Sequence, residues 1–159
     1  MIPTLLLALL PAVAHAQTEV GTARKLGVGG AFGNGIIGAA GKYWFSPTVG
    51  VSGYIGNAIE LQQLRANFEM DIFTVRDTEF GRFDLYWLAG VDAGFWAMPG
   101  FVAGKFGGGA GLGVNLKVHD APVDIFLDVG LGVYAFDFCG AASCLLQPRA
   151  DLGARYYFP

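Results

Sequence analysis

The chain has 159 residues, of which 53% are hydrophobic and only 14% are charged, an unusual balance for a water-soluble domain. A net charge of −3 and a pI near 5.2 exclude the basic surface on which nucleic-acid binding depends. After residue 16 no apolar run reaches the roughly 18 residues of a membrane-spanning helix. Twenty-five glycines also argue against a helical protein. Apolar residues spread thinly in this way favour strands that each have one apolar face.

Residues 1–16, MIPTLLLALLPAVAHA, have the features of a secretory signal peptide. A short apolar segment is followed by Ala14-His15-Ala16, an A-x-A cleavage site. The alternative is a buried N-terminal strand or helix, which the abrupt change to the polar QTEVGTAR opposes. We therefore expect a cleaved signal peptide at 1–16 and one β-barrel domain at 17–159.

The rest of the chain divides into eight segments in which apolar and polar residues alternate. LRANFEMDIF, at 64–73, is the clearest of them. Turn-forming residues separate the segments, beginning with Asn34-Gly35 and Ser46-Pro47-Thr48. The segments are 25–33, 36–45, 49–56, 64–73, 83–96, 105–118, 123–136 and 149–158. The pattern predicts an all-β fold, an eight-stranded antiparallel up-and-down β-barrel.

The two faces of these segments differ sharply in composition. One face has 44 positions without a charged or amide side chain. The other has seven acids and seven bases, two of which, Lys25 and Lys105, are at strand ends. The predicted interior charge network comprises Lys42, Arg65, Glu69, Asp71, Asp84, Asp92, Lys117, Asp124, Asp128, Arg149, Asp151 and Arg155. Because acids and bases balance, we expect this face to neutralise itself as a paired plug, rather than to form a proton path or a general acid/base pair.

Glycine indicates which face is inside. Most strand glycines share the charged face, where glycine would weaken a solvent-facing strand without any gain. In the narrow interior of an eight-stranded barrel, small residues would instead make room for aromatic and charged side chains. The apolar face would then point outward, as in a transmembrane barrel. A soluble lipocalin-like barrel, with its apolar face inside, is the alternative.

The chain resembles the small eight-stranded outer-membrane β-barrels of Gram-negative bacteria, the OmpA-transmembrane-domain and OmpX-like group. The most specific part of the resemblance is the final ADLGARYYF, where alternation leads to a near-terminal aromatic residue. It implies a monomer in the outer membrane, surrounded by lipid, with both termini periplasmic. Tyr156 and Phe158 would be the signal read by the outer-membrane assembly machinery. With Tyr43 and Phe45 they would also form the inner aromatic girdle.

Other chemistry finds little support in the sequence. Cys139 and Cys144 flank one short loop, and in an oxidising compartment a disulfide between them is expected. His119, the one histidine after residue 16, is predicted to be solvated in a turn, with no serine in reach that it could activate. We expect no cofactor, no metal and no catalytic activity. The predicted function is that of a structural or interaction protein, with a small ion channel or a soluble periplasmic lipid-binding barrel as the alternatives.

Overall fold

The computed structural model describes residues 20–33, 37–58, 61–98, 101–138 and 141–159. Within these ranges each of eight strands pairs antiparallel with the next, and the last pairs with the first, so the sheet closes into a barrel. The predicted all-β, eight-stranded antiparallel fold is therefore confirmed. In the same ranges, no helix is long and apolar enough to cross a membrane. The predicted signal peptide at 1–16 lies outside the described residues.

The strands of the second half of the barrel are roughly twice as long as those of the first hairpin. In chain order they are β1 (Leu26–Gly33), β2 (Ile37–Trp44), β3 (Val49–Ala58), β4 (Leu61–Asp77), β5 (Gly81–Met98), β6 (Phe101–Val118), β7 (Val123–Phe138) and β8 (Ala141–Tyr157).

Four predicted connections are mostly strand instead. One is the connection expected at 57–63, where β3 continues to Ala58 and β4 begins at Leu61. The turn expected at 74–82 shrinks to three residues, because β4 continues to Asp77 and β5 begins at Gly81. Most of the loops expected at 97–104 and 137–147 belongs to β5 through β8. Each further rung of a ladder pairs backbone N–H and C=O groups, and this gain outweighs the turn preference of isolated glycines and prolines.

The pairing of β4 with β5 contains two irregularities. The register shifts between Asp71 and Phe73 and again between Thr74 and Arg76, so that Ile72 and Val75 are extra residues on β4. Such β-bulges are common at the rims of barrels, where they redirect side chains. Both lie close to the end of the barrel at which the chain enters β1 and leaves β8, which we call the terminal end.

Burial alternates along the strands and identifies the interior. In β4 every residue from Gln63 to Glu69 with an odd number is buried, and every one with an even number is exposed. The apolar residues Leu64 and Phe68 are 60% and 41% exposed, whereas Arg65 and Glu69 are 2% and 0% exposed. The charged face is therefore the inner one.

Inward glycines make room for aromatic rings. A Cβ atom at Gly27 would lie 2.7 Å from the ring of Tyr157, and one at Gly132 would lie 2.6 Å from the hydroxyl of Tyr134. At the outward Gly53 the nearest atom would be 3.7 Å away, an ordinary contact. A narrow lumen thus accommodates large rings because glycines beside them, on the paired strand or on the same strand, have no side chain.

Candidate functional site

The candidate functional site is the set of charged side chains inside the barrel. The structure places all twelve residues of the predicted network on the inner face, with Asp71 half-buried and the others no more than 5% exposed. These side chains form groups that follow one another along the barrel, separated by aromatic rings.

The first group lies at the terminal end. The ammonium of Lys117 is 3.1 Å from the carboxylate of Asp71 and 2.9 Å from that of Asp84. Arg82 lies 3.0 Å from Asp84, and the Thr74 hydroxyl donates a hydrogen bond of 2.7 Å to it. Two bases thus neutralise two acids. The first bulge of β4 contributes to this group, because it places Thr74 opposite Asp84.

A second group ties β2, β7 and β8 together. Arg155 donates from Nε to Asp124 at 3.0 Å, and the Tyr157 hydroxyl donates to the other oxygen of Asp124 at 2.8 Å. The indole N–H of Trp44 donates to the Tyr157 oxygen at 3.3 Å. The guanidinium of Arg155 lies 4.0 Å from the centroid of the Phe126 ring, within the range of a cation–π contact.

Lys42 and Glu69 form an ion pair beside this group. Their charged atoms are 2.5 Å apart, and both side chains are 0% exposed. The Lys42 ammonium also lies 3.7 Å from the centroid of a Trp44 ring and 5.0 Å from that of Tyr86. The two charges are thus enclosed by aromatic rings and depend on each other for compensation.

Near the middle of the barrel is a narrow layer that we call the tyrosine waist, formed by Tyr54, Tyr86, Phe126 and Asp128. The Tyr54 hydroxyl donates to one oxygen of Asp128 at 2.9 Å, and the Tyr86 hydroxyl donates to the other. The rings of Tyr54 and Phe126 meet edge to face with centroids 5.9 Å apart. Among the described residues Asp128 forms no ion pair, so two phenols, not a base, compensate its carboxylate.

The remaining group lies beyond the waist, away from the terminal end. The Arg65 guanidinium bridges Asp92 and Asp151, which are on β5 and β8. Arg149 lies 3.5 Å from Asp92 and donates to the amide oxygen of Asn67 at 3.1 Å. These contacts cross the lumen, so they connect opposite walls of the barrel.

Some buried polar atoms in this interior have no hydrogen-bond partner among the described residues. Both terminal nitrogens of Arg155 are buried without a hydrogen-bond partner among the described residues, as are the side-chain nitrogen and oxygen of Asn115. Buried polar atoms are rarely left unpaired in native proteins, so the hydrogen bonding of these two side chains is incomplete.

The inner residues differ from the sequence prediction at both ends of the barrel. Lys25, counted among the seven bases, is exposed. Arg82, which the sequence placed in a turn, is an inward base paired with Asp84. Its position two residues before Asp84 puts it on the same face, and that parity could have identified it. Lys105 is only 9% exposed, with its ammonium 4.4 Å from the centroid of the Tyr134 ring.

The expectation that His119 is solvated is wrong. His119 is only 7% exposed. Its Nε2 lies 2.8 Å from the carbonyl oxygen of Thr78 and 3.0 Å from a carboxylate oxygen of Asp77. Its backbone N–H donates to the carbonyl of Phe80 at 3.1 Å. The imidazole thus joins two neighbouring turns at the terminal end, a contact that sequence spacing does not reveal.

The predicted disulfide stays a prediction. Cys139 lies outside the described residues, and although Cys144 is in β8, its side chain is not among those described. Elsewhere in the described ranges, no group of three or more His, Cys, Asp or Glu side chains is placed to hold a metal ion.

Together these features define a closed eight-stranded β-barrel with apolar side chains outside and a filled, charged interior. Comparisons with protein-family models, with curated proteins and with solved structures gave no match.

Proposed function

We propose that the protein is a monomeric outer-membrane β-barrel of a Gram-negative bacterium, similar to the OmpA-transmembrane-domain and OmpX-like group, with a structural or interaction role and no catalytic activity. One observation carries the proposal: the outer wall exposes large apolar side chains while the charges are buried. Phe32, Ile55, Phe106 and Leu146 are 63–66% exposed, yet Asp124 and Glu69 are 0% exposed.

This distribution is the reverse of that in a water-soluble barrel. Burying one large apolar side chain is worth about 1.5–3 kcal/mol, so an outer wall of such side chains is costly in water. Soluble monomers rarely expose contiguous apolar patches of this kind. Hydrocarbon removes the cost, because lipid tails solvate the same residues. An outer wall that suits lipid supports the transmembrane orientation.

Aromatic pairs at the terminal end support the same orientation. Tyr43 and Phe45 meet edge to face with ring centroids 5.5 Å apart, and Tyr156 and Phe158 do so at 5.2 Å. All four residues are 42–55% exposed on the outer wall. Exposed aromatic residues near one end of a membrane barrel typically form a girdle at the lipid–water interface. We assign them to the inner girdle, and Tyr156 and Phe158 also to recognition by the assembly machinery.

The filled interior supports a closed barrel instead of an open pore. Trp44, Tyr86 and Tyr157 are 0% exposed, and the tyrosine waist lies across the lumen between two ionic groups. Barrels that enclose wide aqueous channels have more strands. Purified protein in planar bilayers is therefore expected to show no significant single-channel conductance, and a large, steady conductance would support the channel alternative.

Migration on a gel tests whether the barrel folds in detergent or lipid, as the proposal requires. A detergent-resistant barrel loaded without heating should migrate differently from the same sample after boiling. Mature protein that folds only when detergent or lipid is supplied would support the proposal. Protein that folds and stays dispersed in buffer alone would support the soluble lipid-binding alternative.

A further inference from the structure

Arg76 is the one described strand base that points outward from the barrel. It pairs with Phe83 on the outward side of the β4–β5 ladder and is exposed. The other bases of the described strands lie on the inner face, and Lys42, Arg65, Arg82, Lys117, Arg149 and Arg155 each have a carboxylate within 4.0 Å.

No carboxylate neutralises Arg76 within the described part of the chain. The adjacent Asp77 is on the other side of the strand, opposite Arg82, and its carboxylate is 3.0 Å from the imidazole of His119. Glu79 is exposed in the next turn and forms no ion pair among the described residues. The guanidinium is therefore available to a ligand outside the barrel.

The two bulges of β4 place exposed apolar side chains on the strand shortly before this cation. Ile72, Phe73 and Val75 are 48%, 56% and 55% exposed, and all three lie within four residues before Arg76. A regular strand would have turned one of two consecutive residues inward, but the extra residue at 72 leaves both Ile72 and Phe73 exposed. The result is an apolar ridge that ends in a positive charge at the rim.

An apolar surface that ends in an unpaired guanidinium at the rim matches the chemistry of an anionic phospholipid. Acyl chains would lie along the apolar ridge, and Arg76 would bind the phosphate, which the planar guanidinium can do through two parallel hydrogen bonds. We propose that Arg76, with Ile72, Phe73 and Val75, is a binding site for an anionic phospholipid of the periplasmic leaflet. This inference rests on the proposed function, since it requires that the barrel spans a membrane.

The test compares lipid preference in vesicles that contain spin-labelled phosphatidylglycerol or spin-labelled phosphatidylcholine. The wild-type protein should bind the anionic lipid more tightly, and Arg76→Gln should lower that preference by more than the roughly five-fold effect of one basic residue near a membrane surface. Arg76→Lys keeps the charge and should retain most of the preference.

Lys25→Gln is the matched control, because Lys25 is an exposed base at the same end of the barrel without the apolar ridge. It should change the preference less than Arg76→Gln does. The inference is overturned if Arg76→Gln retains the full preference, or if Lys25→Gln lowers it as much. Heat-modifiable migration verifies that each variant is folded. Wild-type protein that fails to enter vesicles at all would instead contradict the proposed function.

Discussion

Lys42 and Glu69 form an ion pair of 2.5 Å from which solvent is excluded, since both side chains are 0% exposed. Removing one partner of such a pair leaves an uncompensated buried charge, which typically costs about 3–5 kcal/mol. We therefore expect Glu69→Leu to impair assembly and to lower the urea midpoint of unfolding in lipid vesicles substantially.

The double variant Lys42→Met/Glu69→Leu is the control for that prediction. It removes both charges and keeps the volume, so it should recover most of the stability lost in Glu69→Leu. If the double variant is as unstable as the single one, the loss of stability comes from packing around residue 69 and not from the unpaired ammonium of Lys42.

Phe68→Asp tests the outer wall. Phe68 is 41% exposed on the outward face, with its ring centroid 5.6 Å from that of Trp87. A carboxylate there would face hydrocarbon, which does not solvate charge. We expect Phe68→Asp to block insertion into vesicles, measured by protease protection, and Phe68→Leu to insert normally. Normal insertion of Phe68→Asp would show that the inside and outside of the barrel are misassigned.

Two glycine substitutions of equal size should have opposite consequences. A Cβ at Gly113 would lie 2.6 Å from an oxygen of Asp128 and closer still to the Tyr86 ring, so Gly113→Ala should destabilise the barrel by about 1–3 kcal/mol. At Gly53 the nearest atom to a Cβ would be 3.7 Å away, so Gly53→Ala should be neutral or slightly stabilising. Equal urea midpoints for the two variants would contradict the packing of the tyrosine waist.

The compensation of Asp128 by two phenols also leads to a prediction. Tyr54→Phe removes the donor that lies 2.9 Å from Asp128, and leaving part of a buried carboxylate unsatisfied typically costs about 1–3 kcal/mol. The same substitution combined with Asp128→Asn should cost less than the sum of the two single variants, because they share one interaction. Additive costs would mean that Tyr54 and Asp128 are not energetically coupled.

Much of the fold was predictable because a closed sheet imposes one simple rule. Side chains alternate with a period of two, so the parity of Leu64 and Arg65 assigned the faces of β4, and the same reasoning extended to the other strands. The composition of the two faces then indicated which one is inside, because glycine makes room for large side chains in a narrow lumen. The inner position of residues such as Asp124 and Arg155 followed from parity together with this composition.

The ion-pair partners inside the barrel and the ends of the strands could not be predicted in the same way. Which base meets which acid depends on the stagger of the barrel, so the bridge from Arg65 to Asp92 and Asp151 spans contacts that no local spacing encodes. The bulges at Ile72 and Val75 break the period itself. His119 looked solvated because its partner Asp77 is 42 residues away in the chain and meets it only after the hairpins align.

Fractionation of cells that express the protein tests the central claim most directly. If the apolar wall faces lipid, the mature protein should stay in the outer-membrane fraction through washes with high salt and alkaline carbonate, and only detergent should release it. Recovery of folded mature protein in the periplasmic extract without detergent would contradict the account, because a barrel that is stable in water cannot have this wall exposed.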